Sequence, residues 1–254
     1  YADLVPICIE NNINYKLVSN INHVENVNWI KKNNPDVIFC FGWSYLLSSE
    51  ILNIPRIGVV GYHPAKLPYN RGRHPLIWAL VLGLKETGST FFFMDEGADS
   101  GDILSQRTVK ILDSDNAYTL YKRMIKISLM QIEKIIPKLE SGSYERIPQD
   151  VNIVNYWRKR EENDGEIDWR MSAETIHNLI RGLSNPYVGA HFMLNGKFIK
   201  VWSAEIVRNK HRNIEPGKVL SNNKNGIIVK TGEDSIRLIK IAPKLDKLKI
   251  GSYL

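Results

Sequence analysis

The sequence predicts an α/β protein: a mostly parallel sheet with helices on both faces, followed by a small β-barrel. Three observations carry this. Strand-like and helix-like segments alternate through the first half, as βαβ units do. One long amphipathic helix closes that half. After a second helix the chain holds short alternating strands separated by Asn-Gly and Gly turns, the spacing of a small barrel.

In chain order, Val24, Val27 and Ile30 recur at helical spacing within residues 23–34. Residues 36–41 form a continuous apolar run ending at Gly42, as a strand buried on both faces reads. Residues 46–52 predict a short helix, and 57–61 the next buried strand. Residues 74–82 are apolar at helical spacing, with Pro75 in the first turn, where proline is tolerated. Residues 89–94 and 103–111 are β-rich runs flanking a polar, Gly-containing loop. Asp115 or Asn116 caps the long helix, and Tyr121, Ile125, Leu129, Ile132 and Ile136 mark its apolar face. Pro137 and Ser141-Gly142-Ser143 are expected to end it. Residues 143–167 have few aliphatic side chains and a charged run from Arg158 to Glu162, and read as a linker crossing a surface. Ser172 then caps a helix to residue 183, with Ile176, Leu179 and Ile180 inward. Strands follow at 190–194, 197–204, 218–220, 226–229 and 236–241. The expected division is therefore 1–142, a linker at 143–167, and 168–254.

Composition limits the function classes. Of 254 residues, 43% are hydrophobic and 24% charged, which excludes a disordered or coiled-coil protein. The longest apolar-rich stretch, residues 76–84, is about half of the roughly 18 residues a membrane span needs. Cys8 and Cys40 lie far apart with no metal-site spacing, which argues against a disulfide scaffold and fits a reducing compartment. With no leader pattern, the expected location is the cytoplasm. Tyr1 in first position predicts that the natural N-terminus is missing. Residues 1–142 are almost neutral, whereas 143–254 hold 19 Lys and Arg against 13 Asp and Glu. A basic half is a footprint for nucleic acid or a phosphorylated ligand; a lysine-rich solvated surface is the plain alternative.

The chemistry-bearing stretch runs from Gly61 to Asp102. His63 follows the end of a predicted buried strand, the edge where open α/β sheets bind ligands. Asp99 lies in a loop after another strand, so both face one crevice in this reading. A carboxylate beside a histidine favours the imidazolium, orients the ring and makes a proton-transfer pair. Spacing alone leaves a structural role for His63 open. Asp95, Glu96, Asp99 and Asp102 invite a hard-metal site, but they match no EF-hand loop and Gly97 and Gly101 suggest tight turns, so no metal is expected. No dinucleotide-binding glycine fingerprint or phosphate loop is present.

His63-Pro64, Leu67-Pro68, Arg71-Gly72, Lys85-Glu86-Thr87-Gly88 and Met94-Asp95-Glu96-Gly97-Ala98-Asp99-Ser100-Gly101-Asp102-Ile103-Leu104 resemble, in order and spacing, the 10-formyltetrahydrofolate-dependent formyltransferases. The resemblance continues through Gly165-Glu166-Ile167-Asp168-Trp169, residues 176–181, Asn185-Pro186-Tyr187-Val188-Gly189-Ala190 and Pro216-Gly217, and covers nearly the whole chain. It implies a Rossmann-like sheet whose first strands precede Tyr1, and an OB-like C-terminal barrel. It implies catalysis by His63 and Asp99, with 10-formyltetrahydrofolate as co-substrate. It also implies a folate wall of Trp43, Tyr45 and Leu47 within Gly42-Trp43-Ser44-Tyr45-Leu46-Leu47, facing the Asp95, Glu96 and Gly97 loop. The family's catalytic asparagine, two residues before the histidine, is Gly61 here. Loss of an oxyanion donor costs roughly two to three orders of magnitude in rate. The intact remainder favours another donor, a backbone N–H or Asn70, over a slow enzyme or a folate- or nucleotide-binding protein.

The resemblance implies two acceptor classes, initiator methionyl-tRNA and nucleotide-linked amino sugars. Arg71-Gly72-Arg73 and residues 175–181 resemble the UDP-4-amino-4-deoxy-L-arabinose formyltransferase type most, and guanidinium groups suit a nucleotide diphosphate. Asn70, Arg71 and Arg73 are the expected acceptor-binding residues. The basic second half favours tRNA as the alternative. A homodimer stays open.

Overall fold

The computed structural model describes residues 3–43, 45–209, 213–245 and 248–254; Ser44, within the expected folate wall, lies outside them. A short helix, α1 (Val5–Glu10), buries no residue. The first sheet is built from β1 (Val37–Cys40), β2 (Gly58–His63), β4 (Glu86–Phe93) and β5 (Ile103–Lys110), in that spatial order. Between them lie α2 (Val24–Asn33) before β1, α3 (Ser49–Leu52) before β2, and the two-residue β3 (Arg71–Gly72) and α4 (Pro75–Val81) before β4. The long α5 (Ala117–Ser141) follows β5.

The sheet is mixed, not mostly parallel as the alternation suggests. Only β1 and β2 run parallel; β2–β4 and β4–β5 are antiparallel. A buried strand's apolar run carries no sign of direction, and the nine residues between β4 and β5 are too few for a parallel crossover. Helices do cover both faces. Ile135 and Leu139 of α5 pack on Val60, Phe91 and Phe93, while Val27 of α2 and Ile51 of α3 pack on Val59 from the other side.

Helix α5 departs from the sequence reading in two ways. It buries Leu120, Met124, Gln131, Ile135 and Leu139, and leaves Tyr121, Ile125, Leu129 and Ile136 exposed. Apolar residues occupy more than one stripe of this helix, so periodicity admits two inward faces. Buried Gln131 matches the chosen one, since its amide bonds Ser89 of β4 and Ser105 of β5. The helix also runs on through Pro137, expected to help end it, and stops where the Ser141-Gly142-Ser143 run predicts, with Gly142 at φ +70°.

Residues 143–167, expected as a linker, are tied into the fold. Ile147 bridges Ile103, and β6 (Tyr156–Trp157) pairs in parallel with β3. Farther on, α6 (Ala173–Gly182), capped by Ser172, packs on β7 (Ala190–Leu194), β8 (Lys197–Val207), β9 (Val219–Asn223), β10 (Gly226–Lys230) and β11 (Ser235–Ala242). Asn195 and Gly196, both at positive φ, make the β7–β8 turn, as a type I′ hairpin requires. The five strands form one antiparallel sheet in the order β7-β8-β11-β10-β9, with no β7–β9 pairing among the described residues. Helix α6 covers the apolar face that a barrel would turn inward: Ile176 and Ile180 lie in one cluster with Phe192, Ile199, Ile236 and Leu238. Ile77 of α4 joins the same cluster, so the two sheets share packing through α4 and α6.

Candidate functional site

Strand alternation puts Gly61 and His63 on the face of β2 opposite Tyr62. His63 is the last residue of β2 and is buried. Its Nε2 donates to the backbone oxygen of Asn70 at 2.7 Å. That leaves Nδ1 for Asp99, whose Oδ2 lies 3.6 Å away, an ion-pair rather than a hydrogen-bond distance. The Gly72 N–H donates to the same Oδ2 at 2.8 Å. Asp99 Oδ1 has no partner among the described residues, and the carboxylate is 21% exposed. His63 and Asp99 thus meet across 36 positions of sequence with one carboxylate oxygen open to solvent. Asn70 and Asp99 both take left-handed backbone angles, φ +64° and +56°, which Asn and Asp tolerate best after glycine.

Gly61 is enclosed by apolar side chains. A Cβ there would lie 2.9 Å from Met94 Cγ and 3.0 Å from the edge of the Phe92 ring. The space an asparagine would need is filled. Asn70 stands closer to the chemistry: its N–H donates to Asn155 Oδ1, and its Oδ1 accepts from Asn155 Nδ2 at 3.2 Å. With Oδ1 held in this way, Nδ2 is the amide group left without a partner among the described residues.

Arg71, expected to meet the acceptor, turns its guanidinium into the protein. Arg71 is 4% exposed. Its Nε and Nη2 donate to Gln149 Oε1 and its Nη1 to the Tyr156 hydroxyl. β3 pairs with β6, and that pairing turns the side chain onto the connector. Arg73 is exposed, with its N–H fixed on the Trp157 carbonyl.

The expected folate residues divide. Trp43 and Tyr45 are exposed and meet edge to face 6.2 Å apart, just beyond the end of β1. Leu47 instead packs in the core with Val27, Ile51 and Val59. Asp95, Glu96 and Gly97 are exposed; Asp95 Oδ1 accepts from the Gly97 N–H and Ser100 Oγ, closing the turn that carries Asp99. At Gly97 a Cβ would meet Ser100 Oγ, so a side chain there would displace the Ser100 hydroxyl from Asp95. Among the described residues, no cluster of His, Cys, Asp or Glu is placed to hold a metal ion. Burial pushes the Cys40 thiol up to about 11, so it is neutral and no nucleophile at physiological pH.

Sequence reasoning missed Gln149, Asn155 and Tyr156. They sit in a stretch with no motif and reach the site only through the fold. Gln149 Nε2 donates to the backbone oxygens of Asp99 and Gly101 at 2.9 and 2.7 Å. A cleft of about 550 Å³ between β5 and α5 is lined by none of the expected site residues. Among the described residues, no helix is long and apolar enough to cross a membrane.

Residues 7–132 match the family described as formyl transferase, and residues 159–254 match the formyl transferase C-terminal domain. A methionyl-tRNA formyltransferase of Caldanaerobacter subterraneus subsp. tengcongensis is 36% identical over 234 residues, 92% of this chain and 75% of that protein. The bifunctional polymyxin resistance protein ArnA of Wigglesworthia glossinidia brevipalpis is also 36% identical, over 87% of this chain; the chain spans only 33% of that protein. Among solved structures, WlaRD, a sugar 3N-formyl transferase in the presence of dTDP and 5-N-formyl-THF, superposes with TM-score 0.71 at 20% identity, covering 95% of this chain and 82% of that one. HypX from Aquifex aeolicus in complex with tetrahydrofolic acid gives TM-score 0.67 at 19% identity over 85% of this chain and 37% of that one. At such identity these two likenesses speak to fold alone. With both halves matched, and a relative 36% identical over 92% of this chain and 75% of its own length, the chain belongs to the formyl transferase family.

Proposed function

We propose that this chain transfers a formyl group from 10-formyltetrahydrofolate to the primary amine of a nucleotide-linked amino sugar. The observation that carries the transfer is the His63–Asp99 pair at the end of β2, with one Asp99 oxygen held by Gly72 and the other open. An amine must lose a proton as it adds to a formyl carbon. Asp99 Oδ1 is the acceptor for that proton, and His63, buried against Asp99, keeps the carboxylate oriented. The oxygen that becomes negative needs a donor, and Asn70 Nδ2 takes the place that the asparagine missing at position 61 would have served. The co-substrate supplies the formyl group: as the tetrahedral adduct collapses its carbon–N10 bond breaks, and the proton taken by Asp99 passes to N10, which leaves as tetrahydrofolate. Trp43 and Tyr45 offer exposed aromatic faces to its flat pterin, and the turn at Asp95–Gly97 offers polar backbone groups.

The acceptor reading rests on Arg73. It is an exposed residue that follows Gly72, whose N–H touches Asp99, and a guanidinium suits a diphosphate. The second reading, initiator methionyl-tRNA, is favoured by the relative that matches 92% of the chain and by the basic second half. Formylation assays with nucleotide amino sugars and methionyl-tRNA in parallel test both. Formyl incorporation into the sugar is expected; incorporation into tRNA alone would reverse the acceptor, and none into either would sink the transfer itself.

A further inference from the structure

We infer that Gln149, in the connector after α5, is a positioning residue that sets the Asp99 carboxylate against His63, with Arg71 as its anchor. The inference rests on reading Asp99 as the proton acceptor.

Asp99 sits in a solvent-facing turn at an uncommon backbone angle, and two clamps hold that turn. Asp95 closes its first part through Gly97 and Ser100. Gln149 closes its second part, with the two hydrogens of one amide directed to the carbonyls of Asp99 and Gly101. The oxygen of that amide accepts twice from Arg71. The next residue, Gly72, donates its N–H to Asp99 Oδ2. The contacts close a ring: Arg71 to Gln149, Gln149 to the Asp99 backbone, the Asp99 side chain to Gly72, and Gly72 to Arg71 by the chain. Backbone and carboxylate of Asp99 are held from one short strand.

The position needs two donors and an acceptor on one planar group, which a side-chain amide provides and a carboxylate or ammonium does not. Gly72 is equally constrained. It lies at φ +100°, and a Cβ would come 2.4 Å from the Trp157 oxygen, so only glycine lets β3 approach the connector this closely. Arg71 is buried against a neutral amide and a phenol, with no ion pair among the described residues. Burying a cation without a counter-charge costs stability. Its return here is geometry at Asp99.

Gln149→Glu separates the two sides of the ring, since it keeps an acceptor for Arg71 and loses both donors to the turn. Gln149→Ala removes both. Gln149→Glu is expected to keep its melting temperature within a few degrees, Gln149→Ala to lose more because it strands the buried Arg71, and both to keep the KM of both substrates within about threefold. Each should lose about 10- to 100-fold in kcat, the cost of displacing a reacting group by a fraction of an ångström to an ångström. In an Asp99→Asn background, Gln149→Glu should cost nothing further, because its effect passes through Asp99. Turnover within twofold of wild type in folded Gln149→Glu, or losses that multiply in the double variant, would overturn the assignment. If Asp99→Asn itself keeps full turnover, the proton-acceptor reading fails, and positioning is judged by the imidazole ¹⁵N resonances of His63. These should move alike in Gln149→Glu and Asp99→Asn; unmoved resonances in Gln149→Glu would refute it.

Discussion

An asparagine at position 61 would drive its Cβ into Met94 and the Phe92 ring, so restoring that residue is expected to crowd the site, not repair it. Gly61→Asn should lower stability by about 1–3 kcal/mol and leave turnover no higher than before. A marked gain in rate would mean that no other donor serves. Asn70→Ala should lower kcat by about 10²–10³-fold with little change in the KM of the formyl donor, as loss of an oxyanion donor does. Both steady-state constants check this, and an unchanged kcat would take the donor role from Asn70. His63→Asn and Asp99→Ala should each lower kcat by about 10²–10⁴-fold in proteins that still melt cooperatively. At this scale the meeting of His63 and Asp99 was legible, because each follows a predicted strand end. The burial of Arg71 and the contacts of Gln149 were not, for one shared reason. Their meaning lies in a contact between positions 78 apart, and no local pattern records it.

Among the elements, α5 is the most instructive. Its start was legible: Asn116 accepts from the N–H groups of Tyr118 and Thr119, and Thr119 returns a bond to the Asn116 N–H. Asn116→Ala should lower stability by about 1 kcal/mol, read by thermal melting. Its inward face was not legible, because two apolar stripes satisfy the same period and only the neighbouring strands decide between them. Strand direction was hidden likewise, since β1, β2 and β4 read alike as apolar runs whatever way they point. Asp115, just before the cap, gives a pH signature. Burial pushes its carboxyl up, but hydrogen bonds from Arg123, the Leu112 N–H and Thr119 outweigh this and hold it below the ordinary range. A group depressed in the folded state adds stability that is complete above the unfolded pKa, about pH 4, and fades as pH falls below it. Asp115→Asn should therefore lower the melting temperature near neutrality and flatten its fall below pH 4; an unchanged acid slope would deny Asp115 this role.

For the molecule as a whole, the open question is how charge meets the acceptor. A sugar diphosphate needs one or two cations near the crevice, so Arg73→Ala should raise acceptor KM strongly and removal of charge at Lys197 and Lys200 should do little. A tRNA spreads its phosphates over many lysines, and its binding falls steeply with salt. Acceptor KM at low and moderate salt distinguishes them, and a steep slope with a silent Arg73→Ala would favour tRNA. The pairing of β3 with β6 also has a consequence in time. His63 and Asp99 leave the ribosome well before Gln149 and Tyr156, and nascent chains fold from the N-terminal side first. The sheet that carries both residues is able to form while the turn around Asp99 still lacks its second clamp. A chain reaching only to residue 142 would therefore carry His63 and Asp99 without the Gln149 contacts to the Asp99 and Gly101 carbonyls.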